Sequence, residues 1–272
     1  MVNGYNPTSL KEALDIISKE EVTPYSGGTD LMIEAKEDIK YLFINKIPEL
    51  KKIIEDDEYI YIGATCTFTD ILESDITPKI LKEMVAEIAA PAIRNLGTVG
   101  GNICNGSPKG DSSLIFVVTD SKLRLASNRG ERIVPINEFF LGRNKTAIKS
   151  DELLVEIIMK KTGIDNYSFT KVGPRKALAI ARVSFAGILD ISNNKINNLS
   201  TAFGAVSDVI LRRADIDEML IGKTIQEAKN IKEEYLEAYN KAIVPIRGRV
   251  SAEYRKIVCM NLLKDFLESN GI

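Results

Sequence analysis

The chain has 272 residues, 44% of them hydrophobic and 27% charged, an ordinary balance for a folded protein of about two domains and not for a disordered or fibrous one. With 36 Lys plus Arg against 38 Asp plus Glu, its net charge of -2 gives no global attraction to nucleic acid or to an anionic membrane. It contains no histidine, which removes Ser-His-Asp and Cys-His triads, the HExxH zinc site and the usual proton shuttle, so an enzyme of this composition would rely on a cofactor.

The first residues, MVNGYNPTSLKEALDIISKE, lack the basic start and apolar core of a signal peptide. No window approaches the ~20 apolar residues of a membrane span, and a cytoplasmic location is the expectation. Ser9 and Glu12 have capping-box spacing, and Leu10, Ala13, Leu14 and Ile17 recur at helical intervals, which predicts a helix over 9–19. Pro24 biases Thr23 toward an extended backbone, after which YSGGTDLMIEAK passes through Gly27 and Gly28 into a short helix expected to begin at Thr29 or Asp30.

The stretches YLFINKI, Tyr41 to Ile47, and EYIYIGA, Glu58 to Ala64, read as strands. Thr77 and Pro78 form an expected N-cap and N1 pair for a helix carrying Ile80, Leu81, Met84, Val85 and Ile88, which Pro91 should stop. Then comes RNLGTVGGNICNGSPKGDS, Arg94 to Ser112, with five of the 18 glycines of the chain. Glycine loses more conformational freedom on folding than any other residue, so this density needs either positive φ angles or a close backbone approach.

Beyond it, KLRLAS, LLVEIIMK, YSFTKV, ARVSFAGILDI and LSTAFGAV read as strands, and TIQEAKNIKEEYLEAYNKA and SAEYRKIVCMNLLKDFLESNG as two closing helices, the first opened by a Thr224/Glu227 capping box and the second ended by Gly271. The pattern is α+β, with a boundary expected within Lys160 to Asn166. Cys66, Cys104 and Cys259 are odd in number and far apart, which fits neither a disulfide framework nor metal-ligand spacing. Cys104 reads as an apolar filler.

Amide N–H groups freed by glycine turns converge on phosphate oxygens, and SGGTD has that form. The dinucleotide fingerprint GxGxxG and the phosphate loop GxxxxGK[ST] are both absent. Thr29 and Asp30 in one loop, with Thr98, Asn102 and Asp111 in the other, suit a ligand carrying a diphosphate and several hydroxyls, such as a dinucleotide. Glycine pairs also mark ordinary tight turns, which leaves a binding or assembly module without catalysis as the other reading.

The segment YSGGTDLMIEAK resembles the first, and IRNLGTVGGNICNGSPKGDS the second, flavin-binding loop of the FAD-binding (medium) subunit of molybdenum hydroxylases such as xanthine dehydrogenase. The likeness continues through DELLVEI, FTKVGPRKALAIARVSFA, TAFGAV and SAEYRK, in the family's order, over nearly the whole chain. It implies an α+β fold: a vanillyl-alcohol-oxidase (PCMH)-type FAD-binding module over 1–163, made of two α/β subdomains of about 1–54 and 55–163, then a smaller C-terminal α/β domain over 164–272. In IRGRVSAEYR the chain departs from the commoner family pattern, with Arg247 and Val250 where an Asp and a Gly are usual.

By the same resemblance, Ser26, Gly27, Gly28, Thr29 and Asp30 line the FAD diphosphate and ribityl chain, with Tyr25 and Leu31 as wall contacts. Thr98, Gly100, Gly101 and Asn102 form the opposing loop, Asp111 accepts from ribose hydroxyls, and Leu154 and Lys171 lie near the adenine and flavin portions. FAD is expected to be noncovalent. The implied role is to take electrons from iron-sulfur clusters and pass them to NAD or another acceptor, with the 2Fe-2S clusters and the molybdenum cofactor on partner subunits, since this chain has no run of cysteines. A free-standing FAD-dependent reductase of the same superfamily is the alternative, against which RNLGTVGGN and SAEYR speak. Relatives process purines, nicotinate, carbon monoxide or aromatic thioesters, and the substrate stays open at this level.

Overall fold

A computed structural model describes residues 4–34, 38–176, 178–246 and 248–272. Arg247, and Ala35, Lys36 and Ala177 of the family-like segments, lie outside them. Three sheets of three or more strands, and one two-stranded hairpin, organise the described residues.

The first is a small parallel sheet of β1 (Gly4–Tyr5), β2 (Thr23–Tyr25) and β3 (Tyr41–Phe43) in the order β1-β3-β2, with helix α1 (Leu10–Ile17) between β1 and β2. The apolar stripe of α1, Ala13, Leu14 and Ile17, packs with Leu42, Ile44, Ile47 and Leu50. Ser9 Oγ accepts from the Glu12 N–H at 3.2 Å, but the Glu12 carboxylate turns to the Thr8 N–H at 2.7 Å, so only half of the expected capping box forms. Strand β3 stops at Phe43 instead of reaching Ile47, because the chain turns at once, the Ile47 N–H donating to the Ile44 carbonyl at 3.2 Å before a 3-10 turn over Pro48–Leu50.

The second sheet is antiparallel. It contains β4 (Ile53–Glu55), β5 (Tyr59–Gly63), β6 (Lys122–Ser127), β7 (Gly130–Pro135) and, after a hairpin of β8 (Phe140–Gly142) and β9 (Lys145–Thr146), β10 (Leu153–Lys160), in the order β4-β5-β10-β6-β7. Between β5 and β6 come α2 (Phe68–Glu73), α3 (Lys79–Ala86), α4 (Pro91–Arg94), α5 (Val99–Cys104) and α6 (Asp111–Val118). Two expectations change here. Pro78, not Thr77, is the N-cap of α3, and the helix ends at Ala86, well before Pro91, which instead starts the separate turn α4. The residue before a proline avoids the α region, so Ala90 is extended and the chain cannot stay helical.

The third sheet, also antiparallel, runs β11 (Tyr167–Val172), β12 (Val183–Ser192), β13 (Lys195–Gly204) and β14 (Leu211–Arg212). Side chains alternate across it. Ala186, Ile188 and Ala202 join the core that includes α6, while Phe185, Leu189, Leu199 and Phe203 join a second core beneath the C-terminal helices. Those helices follow a turn α7 (Ile136–Phe139), already passed in the second sheet, and are α8 (Ala214–Asp217), α9 (Ile225–Asn230), α10 (Lys232–Ala242) and α11 (Ala252–Ser269). The Thr224/Glu227 capping box forms in full, but the helix expected to run on from it breaks at Ile231 into α9 and α10.

Helix α6 is buried along its whole length and packs on α3 and on β12 and β13, with the Ser200 hydroxyl donating to the Val118 carbonyl at 2.6 Å. Its first residue therefore sits where the two layers meet. In the second core Asp217 accepts from Thr201, Tyr235 and Tyr239 at 2.7 to 2.9 Å, and burial pushes its carboxyl up to about 6. Among the described residues no helix is long and apolar enough to cross a membrane.

Candidate functional site

A cleft of about 1350 Å³ opens between the first sheet, the helices over the second sheet and the end of β11. Ser26, Gly27, Gly28, Thr29, Asp30, Leu31, Thr98, Gly100, Gly101, Asn102, Asp111, Leu154 and Lys171 all line it. Tyr25 does not: its ring packs edge-on against Tyr41 at 5.7 Å and tilted against Phe43 at 5.0 Å, and a side chain at Gly28 would strike it. Tyr25 thus props the turn from behind.

The loop leaving β2 owes its shape to Gly28, whose φ of +70° is a left-handed conformation that a glycine takes without strain. A 3-10 turn over Leu31–Glu34 follows, in place of the helix expected from Thr29 or Asp30. Among the described residues, the N–H groups from Gly27 to Asp30 donate to no acceptor in the chain. The Ser26 hydroxyl oxygen is buried and equally unpartnered. Consecutive unpaired amides in a turn form a concave, electropositive surface suited to an anion.

The second loop leads into α5, where Thr98 is the N-cap and accepts from the Gly101 N–H at 3.2 Å. Its other amides are also used: Val99 donates to Cys66 and Gly100 to Ala64, both at 3.0 Å, and Asn102 to Thr98 at 3.1 Å. A Cβ at Gly100 would lie 2.5 Å from the Ala64 carbonyl oxygen, so this glycine serves close packing. A Cβ at Gly27 would collide with the backbone of Leu96, which puts the two loops in direct contact. Arg94 supports the approach to this loop by donating to the carbonyls of Ile88 at 2.7 Å and Ala89 at 3.0 Å.

Asn102 accepts through Oδ1 from the Ser112 hydroxyl at 2.7 Å. Asp111, at the N-terminus of α6, accepts through Oδ2 from Lys171 Nζ at 2.6 Å, and Lys171 donates a second bond to the Glu87 carbonyl at 3.1 Å. These two side chains are only 7% and 10% exposed, so Lys171 is a buried ion-pair member and not a solvated strand residue. Burial raises the Asp111 carboxyl above its ordinary value, against the opposing pull of Lys171. Asp111 Oδ1 is buried without a partner. Leu154 is 4% exposed, faces Leu125 across the β10–β6 ladder and gives the cleft an apolar wall.

Cys104 corrects an expectation. It is not packed away as a filler but is exposed and lines the cleft. Sequence reasoning also passed over Lys109 and Leu178 to Ile180, which line the same cleft. Lys109 lies within the glycine-rich stretch and Leu178 to Ile180 within the family-like FTKVGPRKALAIARVSFA, so a signal existed for each.

These residues fit an elongated dinucleotide such as FAD. Free amides supply donors for a diphosphate, Ser26 Oγ and Asp111 Oδ1 supply unpaired groups for hydroxyls, and Leu154 supplies an apolar surface for a ring. Among the described residues no group of three or more acidic or cysteine side chains could hold a metal ion.

Comparison with known proteins points to the same cofactor. The family model described as the FAD binding domain in molybdopterin dehydrogenase matches residues 1–159, and that of the CO dehydrogenase flavoprotein C-terminal domain matches 168–270. The chain is 31% identical to the xanthine dehydrogenase FAD-binding subunit of Escherichia coli O157:H7, over 76% of its own length and 75% of the relative's. It is 30% identical to the nicotinate dehydrogenase FAD-subunit of Eubacterium barkeri, over 80% and 79%. Among solved structures, carbon monoxide dehydrogenase from Hydrogenophaga pseudoflava superposes with a TM-score of 0.88 at 25% identity, covering 97% of this chain and 94% of that one.

Proposed function

The chain belongs to the family of FAD-binding subunits of molybdenum-containing dehydrogenases, and from that premise we propose that it relays electrons from 2Fe-2S clusters on a partner subunit to NAD or another acceptor. It is an FAD-dependent oxidoreductase subunit, and FAD supplies the electron-carrying chemistry when bound. The molybdenum cofactor and the clusters belong on partner subunits in this reading, with a purine or a related heterocycle as the substrate of the complex. Relatives named for xanthine and nicotinate support that substrate class. All three cysteines are free thiols, as suits the reducing cytoplasm in which we place the complex.

In the proposed site the N–H groups of Gly27, Gly28, Thr29 and Asp30 hold the diphosphate, and Ser26 Oγ adds a donor beside them. Asp111 takes a ribose or ribityl hydroxyl on Oδ1 while Lys171 holds Oδ2, so the carboxylate cannot turn away from its ligand. Asn102 and Thr98 fix the opposing loop, Gly100 keeps it close to Ala64 beneath, Gly101 leaves room on the cleft side beside the Thr98 hydroxyl, and Leu31 and Leu154 are walls. Tyr25 acts through Gly28, by supporting the turn. We divide the chain at 163, with subdomains of about 1–54 and 55–163 before the C-terminal 164–272, a reading supported by the separate sheets on each side of that point.

The observation that carries this reading is the pairing, in one cleft, of unsatisfied amides at Gly27 to Asp30 with the unsatisfied oxygen of Asp111. Purified chain is expected to take up one FAD and to release it on acid precipitation, leaving a colourless pellet. Protein that shows no flavin absorbance after incubation with FAD, or a pellet that keeps the colour, overturns the site or its noncovalent character respectively. Co-purification of an iron-sulfur and a molybdenum-bearing chain tests the assembly.

A further inference from the structure

Arg255, in the SAEYRK segment that opens α11, does not line the cleft. Ser251 caps that helix by accepting from the Tyr254 N–H at 3.1 Å, and the Arg255 N–H closes the first turn on the Ser251 carbonyl at 3.2 Å. The Arg255 side chain runs inward, to 4% exposure. There Nη1 donates to the Ala205 carbonyl at 2.7 Å, Nε is buried without an acceptor, and no carboxylate among the described residues pairs with the charge. A Cβ at Gly248 would lie 2.3 Å from Nη2, so the chain ahead of the helix is folded closely over the guanidinium. A buried guanidinium without a counter-charge is costly to keep, and its hydrogen bond to Ala205 is what it holds in return.

Ala205 follows β13 directly and has φ +66°, a left-handed conformation in which the Cβ of an alanine crowds the backbone. Arg255 fixes its carbonyl, and its N–H donates to the Pro108 carbonyl at 2.7 Å. Pro108 lies in a turn that the Gly110 N–H closes on the Ser107 carbonyl at 3.0 Å, and that turn delivers the chain to Asp111 at the start of α6. Helix α6 is thereby held at both ends, since the Ser200 hydroxyl of β13 grips the Val118 carbonyl at the other. An extended chain from 200 to 205 spans about 17 Å and the eight residues of α6 about 12 Å, so the strand reaches past the helix to the turn ahead of it.

We propose that Arg255 is a positioning residue for the flavin: by locking Ala205 in its left-handed turn it sets the start of α6, and with it the direction of the open Asp111 Oδ1. This role rests on the reading of the cleft as an FAD site. Lys171 holds Oδ2 from β11, and the relay from Arg255 through Ala205 and Pro108 holds the backbone that carries the same carboxylate. One restraint fixes a point, and two from different strands fix a direction. Because Arg255 does not line the cleft, it acts through the backbone and not by touching a ligand.

The test measures FAD affinity by fluorescence titration, the visible circular dichroism of the bound flavin, and Tm, all on the full chain. Arg255→Met is expected to weaken FAD about tenfold and to change the dichroism of the flavin that binds. Adding Ala205→Gly should bring affinity back to within about twofold of the parent and restore the dichroism, because a glycine takes the left-handed turn unaided. A guanidinium acting on the ligand by its charge could not be replaced by a glycine, and a helix that merely lost stability would lower Tm and leave the dichroism alone. The proposal is overturned if Arg255→Met binds FAD as the parent does, or if the double variant stays as weak as the single one. Should Arg255→Met alone not fold, the double variant carries the test: folded protein that binds FAD like the parent supports the relay, and unfolded or weakly binding protein overturns it. A parent chain that takes up no FAD overturns the flavin reading and this role with it, and is told apart because it shows before any variant is made.

Discussion

In the loop after β2 the N–H groups from Gly27 to Asp30 have no acceptor in the chain, whereas those from Val99 to Asn102 before and within α5 all have one. The two segments look alike as sequence, each with a glycine pair beside a threonine. The first pair keeps backbone donors turned outward through the left-handed Gly28, and the second lets α5 press against Ala64 and Cys66. Glycine density is therefore a sign of closeness or of unusual φ, and only the hydrogen-bond partners show which loop faces an anion. Asp111 and Lys171 stand just beyond the second loop and supply the polarity that its amides do not.

The sharpest way to break this comparison is to remove the charge that restrains Asp111. Lys171→Met leaves a buried carboxylate unpaired and is expected to lower stability by about 3–5 kcal/mol in denaturant unfolding. Adding Asp111→Asn should recover much of that loss. If the single variant unfolds like the parent, the pair is not holding the cleft together.

Gly27→Ala comes next, because its Cβ meets the Leu96 backbone and must push the loops apart. FAD affinity is expected to fall roughly 100-fold, about 3 kcal/mol, in a fluorescence titration. Gly100→Ala should instead act on packing, with a loss of about 1–3 kcal/mol read as a lower Tm and a smaller change in FAD affinity. Equal effects of the two substitutions on affinity and on Tm would erase the distinction between the loops. The smallest effect belongs to Ser26→Ala, which should weaken FAD by about 1 kcal/mol and leave the unliganded protein as stable as before, since its hydroxyl has no partner within the chain.

Much of the fold was legible from local pattern. The stretches KLRLAS, LLVEIIMK and YSFTKV match β6, β10 and β11 residue for residue, because short apolar runs bounded by turn residues leave few other options. Helix α6 was not legible. DSSLIFVV is buried on every side, so it lacks the polar stripe that marks a helix at the surface. The break at Ile231 and the early end of α3 at Ala86 were hidden too, since both ends answer to packing and to local backbone geometry rather than to composition.

The candidate site divides in the same way. The glycine loops and Asp111 could be read directly, and the resemblance added Leu154 and Lys171. Nothing in YSFTKV, however, said that Lys171 would be buried against Asp111, sixty positions away in the chain. The Cys104 thiol and Lys109 were visible as letters and misread or passed over as parts of a site.

The sequence alone determined the α+β class, the two glycine loops and the absence of any histidine that could carry proton-transfer chemistry. Tertiary structure decided which amides remain free, which carboxylate oxygen is left open, and which lysine is buried against it. Those are properties of partners rather than of residues. A hydrogen bond or an ion pair exists only between groups that folding has brought within about 3 Å, and residue type fixes what each can offer but not whom it meets.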